Sequence, residues 1–501
     1  MNKLNQKWSR RRKMMNKFHS IFILVIAFSI SLSACRVGKD YQRPELNLPE
    51  NYREELARPD SMTADSAGIG SIYWRDFFVD TTLQKIIDTA LVYNYDMRKA
   101  LKNIQIADQQ VRQARAQFLP EIGADVATLN RQYRSKNFYS PATPKYYEET
   151  GKIPPENMYT YTPQNTSGLN LSWELDIWGK IRRQNESTLA QYLQTFEARK
   201  LLQTQLIANV AEGYYNLLML DAQLEVANRN LQLSDSTLRI VKLQRDAGQL
   251  TSLAIQQTES QRLEAQALIP QIKRKIATQE NNLRVLTGQL PDSIKREEAL
   301  TDFLTDTISA GVPLYMVSQR PDVRASELGL RSANAEIGVA QAYRYPSLTI
   351  DARGGVNSML AENWVSVPGS LFGSIIGSIT QPVFSRRKLK TNFEIAKLDR
   401  DKAEIDFQQT VLNAINEVTN TLVTLKNLEE EHQIAETRVA VAQLGIKQAS
   451  MLFRAGLATY LEVISAQKNA INSELDLVSI KQQLVLARVE LYRALGGGWQ
   501  E

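Results

Sequence analysis

A chain of 501 residues, 43% hydrophobic and 23% charged, is long enough for several packed domains and too apolar to stay disordered. Its net charge of +6 does not mark a nucleic-acid binder: residues 1–34 hold seven Lys/Arg and no acid, so the remainder stands at −1. One cysteine, Cys35, and two histidines, His19 and His432, exclude an intramolecular disulfide and a His/Cys zinc cage. GxSxG, HExxH and Walker-type GxxxxGK[ST] motifs are absent from the sequence, which argues against an enzyme.

Residues 1–17 are basic, 21–30 read IFILVIAFSI, and LSAC follows at 32–35. A basic leader, a short apolar core and small residues before a cut describe a secretory signal over 1–34. The apolar run is shorter than the about 20 residues a spanning helix needs. LSAC resembles the lipobox of bacterial lipoproteins, in which the cysteine becomes the first residue and is acylated. This makes Cys35 the lipidation site, with a covalent lipid and no other cofactor, and residues 35–72 an extended lipidated segment.

Period-two alternation predicts strands at 121–129, 168–178, 346–353 and 374–384. In 168–178, Leu169, Leu171, Trp173, Leu175 and Ile177 alternate with Asn170, Ser172, Glu174, Asp176 and Trp178. Glu174, Asp176, Asp351 and Arg353 thereby fall on the polar faces. The strands pair across a Tyr/Pro-rich loop at 130–165 and a Gly/Ser-rich loop at 354–373. Four strands leave open edges; either they cover a core or several copies close a barrel together.

Long helices flank the strands. Residues 185–246 hold no proline and one glycine, and their heptad seam runs Leu217, Leu220, Leu224, Ala227, Leu231, Ser234, Leu238, Val241. A second seam runs from Val411 through Val418, Leu425, His432 and Ile446 to Phe453, with His432 a packing residue. Each seam ends in a similar turn, RDAGQLTSL (245–253) and FRAGLATYL (453–461). Gly248 and Gly456 are C-cap candidates, and Thr251, Ser252 and Thr459 can cap the returning helices. Apolar spacing resumes at Leu263, Leu268, Ile272 and Ile276, and at Val463, Ala470, Leu477, Leu484 and Leu491; Pro270 is expected to kink the first return. Matched landmarks in the same order, such as RVLTGQ (284–289) and RALGGG (493–498), indicate an internal duplication of about 210 residues. The expected division is a first repeat at 73–295, a linker at 296–319 and a second repeat at 320–501.

YWRDFFVDTTLQKIIDTAL (73–91), WELDIWGKIRR (173–183), RPDVRASELGLRSANAEIGVAQA (320–342), QPVFSRRKLK (381–390) and LYRALGGGW (491–499) resemble the outer membrane factors of bacterial efflux pumps and secretion systems, the TolC-like and OprM-like proteins. The lipobox and VGKDYQRPE point to their lipoprotein branch. The resemblance implies a mainly α protein with a β-barrel part: long antiparallel helical hairpins form a tunnel across the periplasm, and four strands per protomer build a twelve-strand trimeric barrel in outer-membrane lipid. It implies a passive channel working with a periplasmic adaptor and an inner-membrane transporter, in drug efflux, metal efflux or type I secretion. The tip residues implied to meet the adaptor are Arg245, Gly248, Leu250, Thr251, Arg454, Gly456, Leu457 and Thr459. Leu461, Glu462, Ser465 and Lys468 match the gate that closes the periplasmic mouth, with Ser465 and Ala254 where the pattern often has Asp. A three-fold ring of Glu462 would raise its own pKa. Glu174, Asp176, Asp351 and Arg353 become lumen-facing charges and imply a mild cation preference. The alternative is a lipid-anchored coiled-coil scaffold or adaptor without a pore, its strands folded as a covered, soluble sandwich.

Overall fold

The structure is a computed structural model that describes residues 37–45, 72–134, 160–296 and 319–499. The signal, Cys35, most of the first inter-strand loop and most of the linker lie outside the described residues. The chain divides into two compact units, each drawn from three separate segments. One comprises Met1–Gln42, Gln109–Leu189 and Arg331–Asp401; the other comprises Arg43–Asp108, Ala190–Leu330 and Lys402–Glu501.

The first unit holds an antiparallel sheet in the order β1-β2-β3-β4: Glu121–Arg134, Thr160–Leu175, Ser347–Ser358 and Leu371–Thr380. The register sorts the side chains by chemistry. One row runs Ile122, Leu171, Ala352, Ile375, and another runs Leu175, Leu348, Ile379; the opposite face carries the rows Glu121, Ser172, Asp351, Ile376 and Gly123, Asn170, Arg353, Ser374, polar or small but for Ile376. A bulge between Asp125 and Thr128 resets the parity of β1, so Leu129 takes the place on the apolar face that its even-numbered residues hold before it. Among the described residues nothing covers the β4 side of the apolar face: Ile375 is 81% exposed and Ile379 74%. β1 and β4 each pair on one side only. A sandwich would cover that face, so the soluble alternative does not describe this sheet.

The strands reach further into both expected loops, β1 to Arg134, β2 from Thr160, β3 to Ser358 and β4 from Leu371, and two of them stop short of the expected bound at the other end. β2 stops at Leu175, because Asp176 leaves the ladder and its carboxylate accepts from the Ile181 and Arg182 amides at 2.8 and 3.0 Å. Asp176 is therefore a helix cap and not a strand charge. β4 stops at Thr380, two residues before Pro382, which has no N–H for a ladder. Nearby, the buried Arg183 holds the segment that follows Cys35. It donates to Gly38 O at 3.0 Å and pairs with Asp40 at 3.0 Å and Glu186 at 2.8 Å. Gly338 makes room for it: a Cβ there would lie 2.8 Å from Arg183 Cγ.

Short helices begin the second unit: α1 (Trp74–Phe77) and α2 (Thr81–Tyr93), then α3 (Tyr95–Ala116), which continues into the first unit. Asp80, 1% exposed, caps α2 through the Thr82 and Leu83 amides and accepts from Tyr214 Oη at 2.6 Å. The long elements are α4 (Lys180–Asp246), α5 (Ser252–Leu286), α6 (Pro321–Ala342), α7 (Lys388–Arg454) and α8 (Tyr460–Ala494). α4 and α7 both have 67 residues, and α5 and α8 both have 35. Lys388, Arg454, Tyr460 and Ala494 lie 208 positions after Lys180, Asp246, Ser252 and Leu286, so the duplicated hairpins match without a gap.

The heptad seams are the packed faces. Leu217, Ala227, Ser234 and Val241 in α4, and Val411, Val418, Leu425 and Phe453 in α7, are buried. Leu263 is 52% exposed, and Ala265 takes the inward position instead. α5 runs through Pro270, whose exposed ring lies on the solvent side. The helix C-termini share one device. Gly248, Gly288, Gly456 and Gly496 have φ between 67° and 81°, and the next residue's amide bonds back into the last turn, as in Gln249 N to Gln244 O at 2.9 Å. At Gly288 glycine is also demanded by space, since a Cβ would meet Tyr93 O at 2.5 Å. Arg320, 4% exposed, ties three helices by donating to Ala494 O at 2.6 Å, Asp322 at 2.7 and 3.0 Å and Glu417 at 2.9 Å.

Candidate functional site: the hairpin tips and the two-faced sheet

The two hairpin tips meet each other. Val241 and Ala254 of the first hairpin pack against Phe453 and Val463 of the second, with Leu250 and Tyr460 at the margin. Tyr460 Oη donates to Gln257 Oε1 at 2.5 Å, and deeper in, Gln467 Nε2 donates to Thr237 Oγ1 at 2.7 Å. The expected tip residues thus form one surface. Gly248 and Gly456 reverse the chain with nothing within 4 Å of a would-be Cβ, and Leu457 is 77% exposed. Arg245 pairs with Asp246 at 2.7 Å. Thr251 and Thr459 occupy matching N-cap positions with nearly identical backbone angles, but the Thr251 side chain makes no cap bond.

Thr459 differs because Glu462 completes a capping box. The Glu462 carboxylate accepts from the Thr459 amide at 2.5 Å and from its hydroxyl. Leu461, Glu462, Ser465 and Lys468 are all exposed, opposite the buried Val463, Gln467 and Ala470. The four expected gate residues therefore share one free face of α8. Within the chain, the hydroxyl and then the backbone amide of Thr459 hold the Glu462 carboxyl below its usual range, opposite in sign to the effect expected of a ring of like charges. Ala254, at the matching place in the first hairpin, is fully buried in the tip cluster, which leaves no room for a solvated carboxylate.

The lowered pKa has a sign and a window. A depressed carboxyl stabilises its fold fully above its unfolded value near 4.5 and loses that contribution as pH falls through the lower folded value. Protection of the amides of residues 460–463, followed by hydrogen exchange, is expected to drop in a step below about pH 4.5. Glu462→Gln should abolish the step; a step of the same size in that variant would assign it elsewhere.

On the sheet, Asp351 accepts from Ser172 Oγ at 2.8 Å, and Arg353 shares its row with Asn170 and Ser374. Glu174 is on the same face but is neutralised by Lys180, whose ammonium reaches both of its oxygens at 2.5 Å. Of the four expected strand charges, Asp351 and Arg353 form no salt bridge among the described residues and stand on the polar face, Glu174 is salt-bridged there, and Asp176 caps a helix. Sequence reading missed Glu121, which joins the Ser172–Asp351 row; period two within 121–129 already placed it opposite Ile122.

A family model described as outer membrane efflux protein matches residues 86–289 and again 316–497. The cation efflux system protein CusC of Escherichia coli O6:H1 is 26% identical over 480 residues, covering 96% of this chain and 99% of that protein. The probable efflux pump outer membrane protein TtgC of Pseudomonas putida is 29% identical over 479 residues and 94% of each chain. Among solved structures, CusC, described in terms of folding and transmembrane channel formation, superposes with a TM-score of 0.79 at 26% identity over 93% of this chain and 100% of that one. The Neisseria gonorrhoeae MtrE outer membrane channel, in its open state, shares the fold with a TM-score of 0.79 at 24% identity, over 93% of this chain and 99% of that one.

Proposed function

The chain belongs to the outer membrane efflux protein family, and from that membership we propose that it is one third of a passive outer-membrane duct, fed by a periplasmic adaptor and an inner-membrane transporter. The observation that carries the trimer is the open sheet. Four strands with two unpaired edges and a bare apolar face cannot sit in hydrocarbon alone, because every exposed backbone amide there goes unsatisfied. Three copies joined edge to edge close it. The apolar rows then meet lipid and the Asp351–Arg353 face meets water.

The paired tips present six near-equivalent turns in a trimer, a ring suited to helical hairpins of an adaptor. The cap between Thr459 and Glu462 keeps the first turn of α8 wound at the mouth. Opening is a population shift that the adaptor drives only by binding the open arrangement more tightly. Acylation of Cys35, which lies outside the described residues, would anchor the segment that Arg183 holds.

Planar-bilayer recording tests the duct. Purified protein should insert as discrete conducting trimers, and Leu461→Ala or Glu462→Ala should raise the single-channel conductance if the free face of α8 lines the mouth. With Glu174 neutralised, each copy brings three acids, Glu121, Asp125 and Asp351, and one base, Arg353, to the polar face among the described residues. Reversal potential under a salt gradient should therefore show a weak cation preference. Anion preference would refute the lumen assignment, and unchanged conductance in both variants would reject the gate.

A further inference from the structure

The duplicated halves make the same strand-to-helix turn twice, and the second copy is built worse. Phe384 lies 208 positions after Asp176, and Arg387 lies 208 after Gly179. In the first copy Asp176 caps the helix, and Gly179 takes a left-handed φ of 75°. In the second copy no carboxylate stands at the capping place, and Arg386 and Arg387 take φ of 50° and 67°. That conformation costs an L-residue steric energy that glycine avoids. Strained side chains kept at a junction point to a use for the side chains themselves.

What they present is a compact basic and apolar patch. Arg386, Arg387, Lys388 and Lys390 are all exposed, and none of them bonds a carboxylate among the described residues. Beside them Val383 is 95% and Phe384 86% exposed. The acids at this end of the unit are already engaged: Glu174 by Lys180, Asp176 by the helix amides and Glu394 by Lys397 at 3.4 Å, leaving Glu121 in the β1 row.

The position supplies the occupant. Ser347 pairs with Thr380 and Glu121 with Ser172, so β1 starts and β4 ends at this same end of the sheet, on its two opposite edges. Closing β4 against β1 of another copy would bring up that copy's Phe118, Leu119 and Arg115, apolar groups and a further cation, together with one acid, Glu121. With one acid against one added base, a neighbouring subunit brings no net countercharge to the four cations. We propose that this junction binds the headgroup of an anionic phospholipid in the periplasmic leaflet, with Arg386, Arg387, Lys388 and Lys390 around the phosphate and Phe384 and Val383 in the acyl region. It rests on the reading that the sheet crosses the outer membrane. Cations at a bilayer surface, with apolar side chains reaching into the acyl region beside them, are the chemistry such a boundary selects.

The test uses a variant that should fold at least as well as the parent. In Arg386→Gly/Arg387→Gly the turn becomes easier while two cations disappear. Full-length acylated protein is equilibrated with mixed micelles of dioleoylphosphatidylglycerol and dioleoylphosphatidylethanolamine, and bound lipid is counted by native mass spectrometry. The parent should retain phosphatidylglycerol over phosphatidylethanolamine by on the order of tenfold or more. The double-glycine variant should approach parity with its trimer and conductance intact, and Lys388→Gln/Lys390→Gln should fall between. An unchanged preference in the double-glycine variant, or a trimer that dissociates on that change, would overturn the lipid site. A parent that never conducts in a bilayer would instead sink the channel reading.

Discussion

Ile375→Arg is expected to abolish outer-membrane insertion, while Ser374→Arg, one residue earlier, leaves an assembled channel. Ile375 is 81% exposed and lies in the row Ile122, Leu171, Ala352, the face assigned to lipid. Arginine there costs about 2–4 kcal/mol at the bilayer midplane, and three-fold repetition brings the trimer to about 6–12 kcal/mol. Ser374 lies beside Arg353 on the other face. An arginine there meets water and one like charge, a cost of about 0.2–1 kcal/mol per copy. Heat-modifiable trimers in outer-membrane fractions report both outcomes. If Ser374→Arg were the disruptive change, the two faces would have to be exchanged; if both were tolerated, the sheet would not lie in lipid.

The second large effect lies in the helical unit. Arg320 is 4% exposed and holds Asp322, Glu417 and the carbonyl that ends α8. Arg320→Met keeps much of the volume but leaves Asp322 with the Val323 amide at 2.9 Å, Glu417 with Arg493 at 3.5 Å and the Ala494 carbonyl without its side-chain donor. Removing one partner of a fully buried pair costs about 3–5 kcal/mol, an upper bound for this cluster because the Asp322 and Glu417 side chains are 24% and 37% exposed. The melting temperature should fall by several degrees, and Arg320→Lys should recover only part, because an ammonium cannot reproduce the forked contact with Asp322. Adding Asp322→Leu and Glu417→Met to Arg320→Met should restore most of the loss, since an apolar replacement for the whole cluster leaves no stranded charge. Failure of the triple variant to recover would mean that the cluster fixes geometry beyond its own electrostatics.

The helical hairpins were legible because their signal is repeated. A seam through Val411, Val418, Leu425 and Phe453 accumulates over many turns, and a glycine at each reversal has one cheap conformation. The strand faces were legible for the same reason. Boundaries were less so, since they are settled by single side chains with two possible uses: Asp176 can extend an alternation or cap a helix, and the two amides within its reach decide. Leu263 and Ala265 show the limit of periodicity over one turn, where a two-residue shift in phase leaves the pattern equally plausible. Arg320 could not be found at all, because its partners lie at 322, 417 and 494 and meet only after folding. The gate residues were grouped by resemblance, and their common exposure on α8 follows from spacing; the bond that occupies Glu462 was legible too, since Thr459 and Glu462 stand at the T-x-x-E spacing of a capping box, a signal the resemblance to a gate overshadowed.

The equal arms also constrain how this protein can change. Inserting a heptad into one hairpin alone would push its end about 10 Å past its twin and pull Val241 and Ala254 away from Phe453 and Val463, which now interlock. Lineages that lengthen or shorten the span must therefore alter both arms by the same increment, and natural gains and losses along α4 and α5 should be mirrored, residue for residue, in α7 and α8.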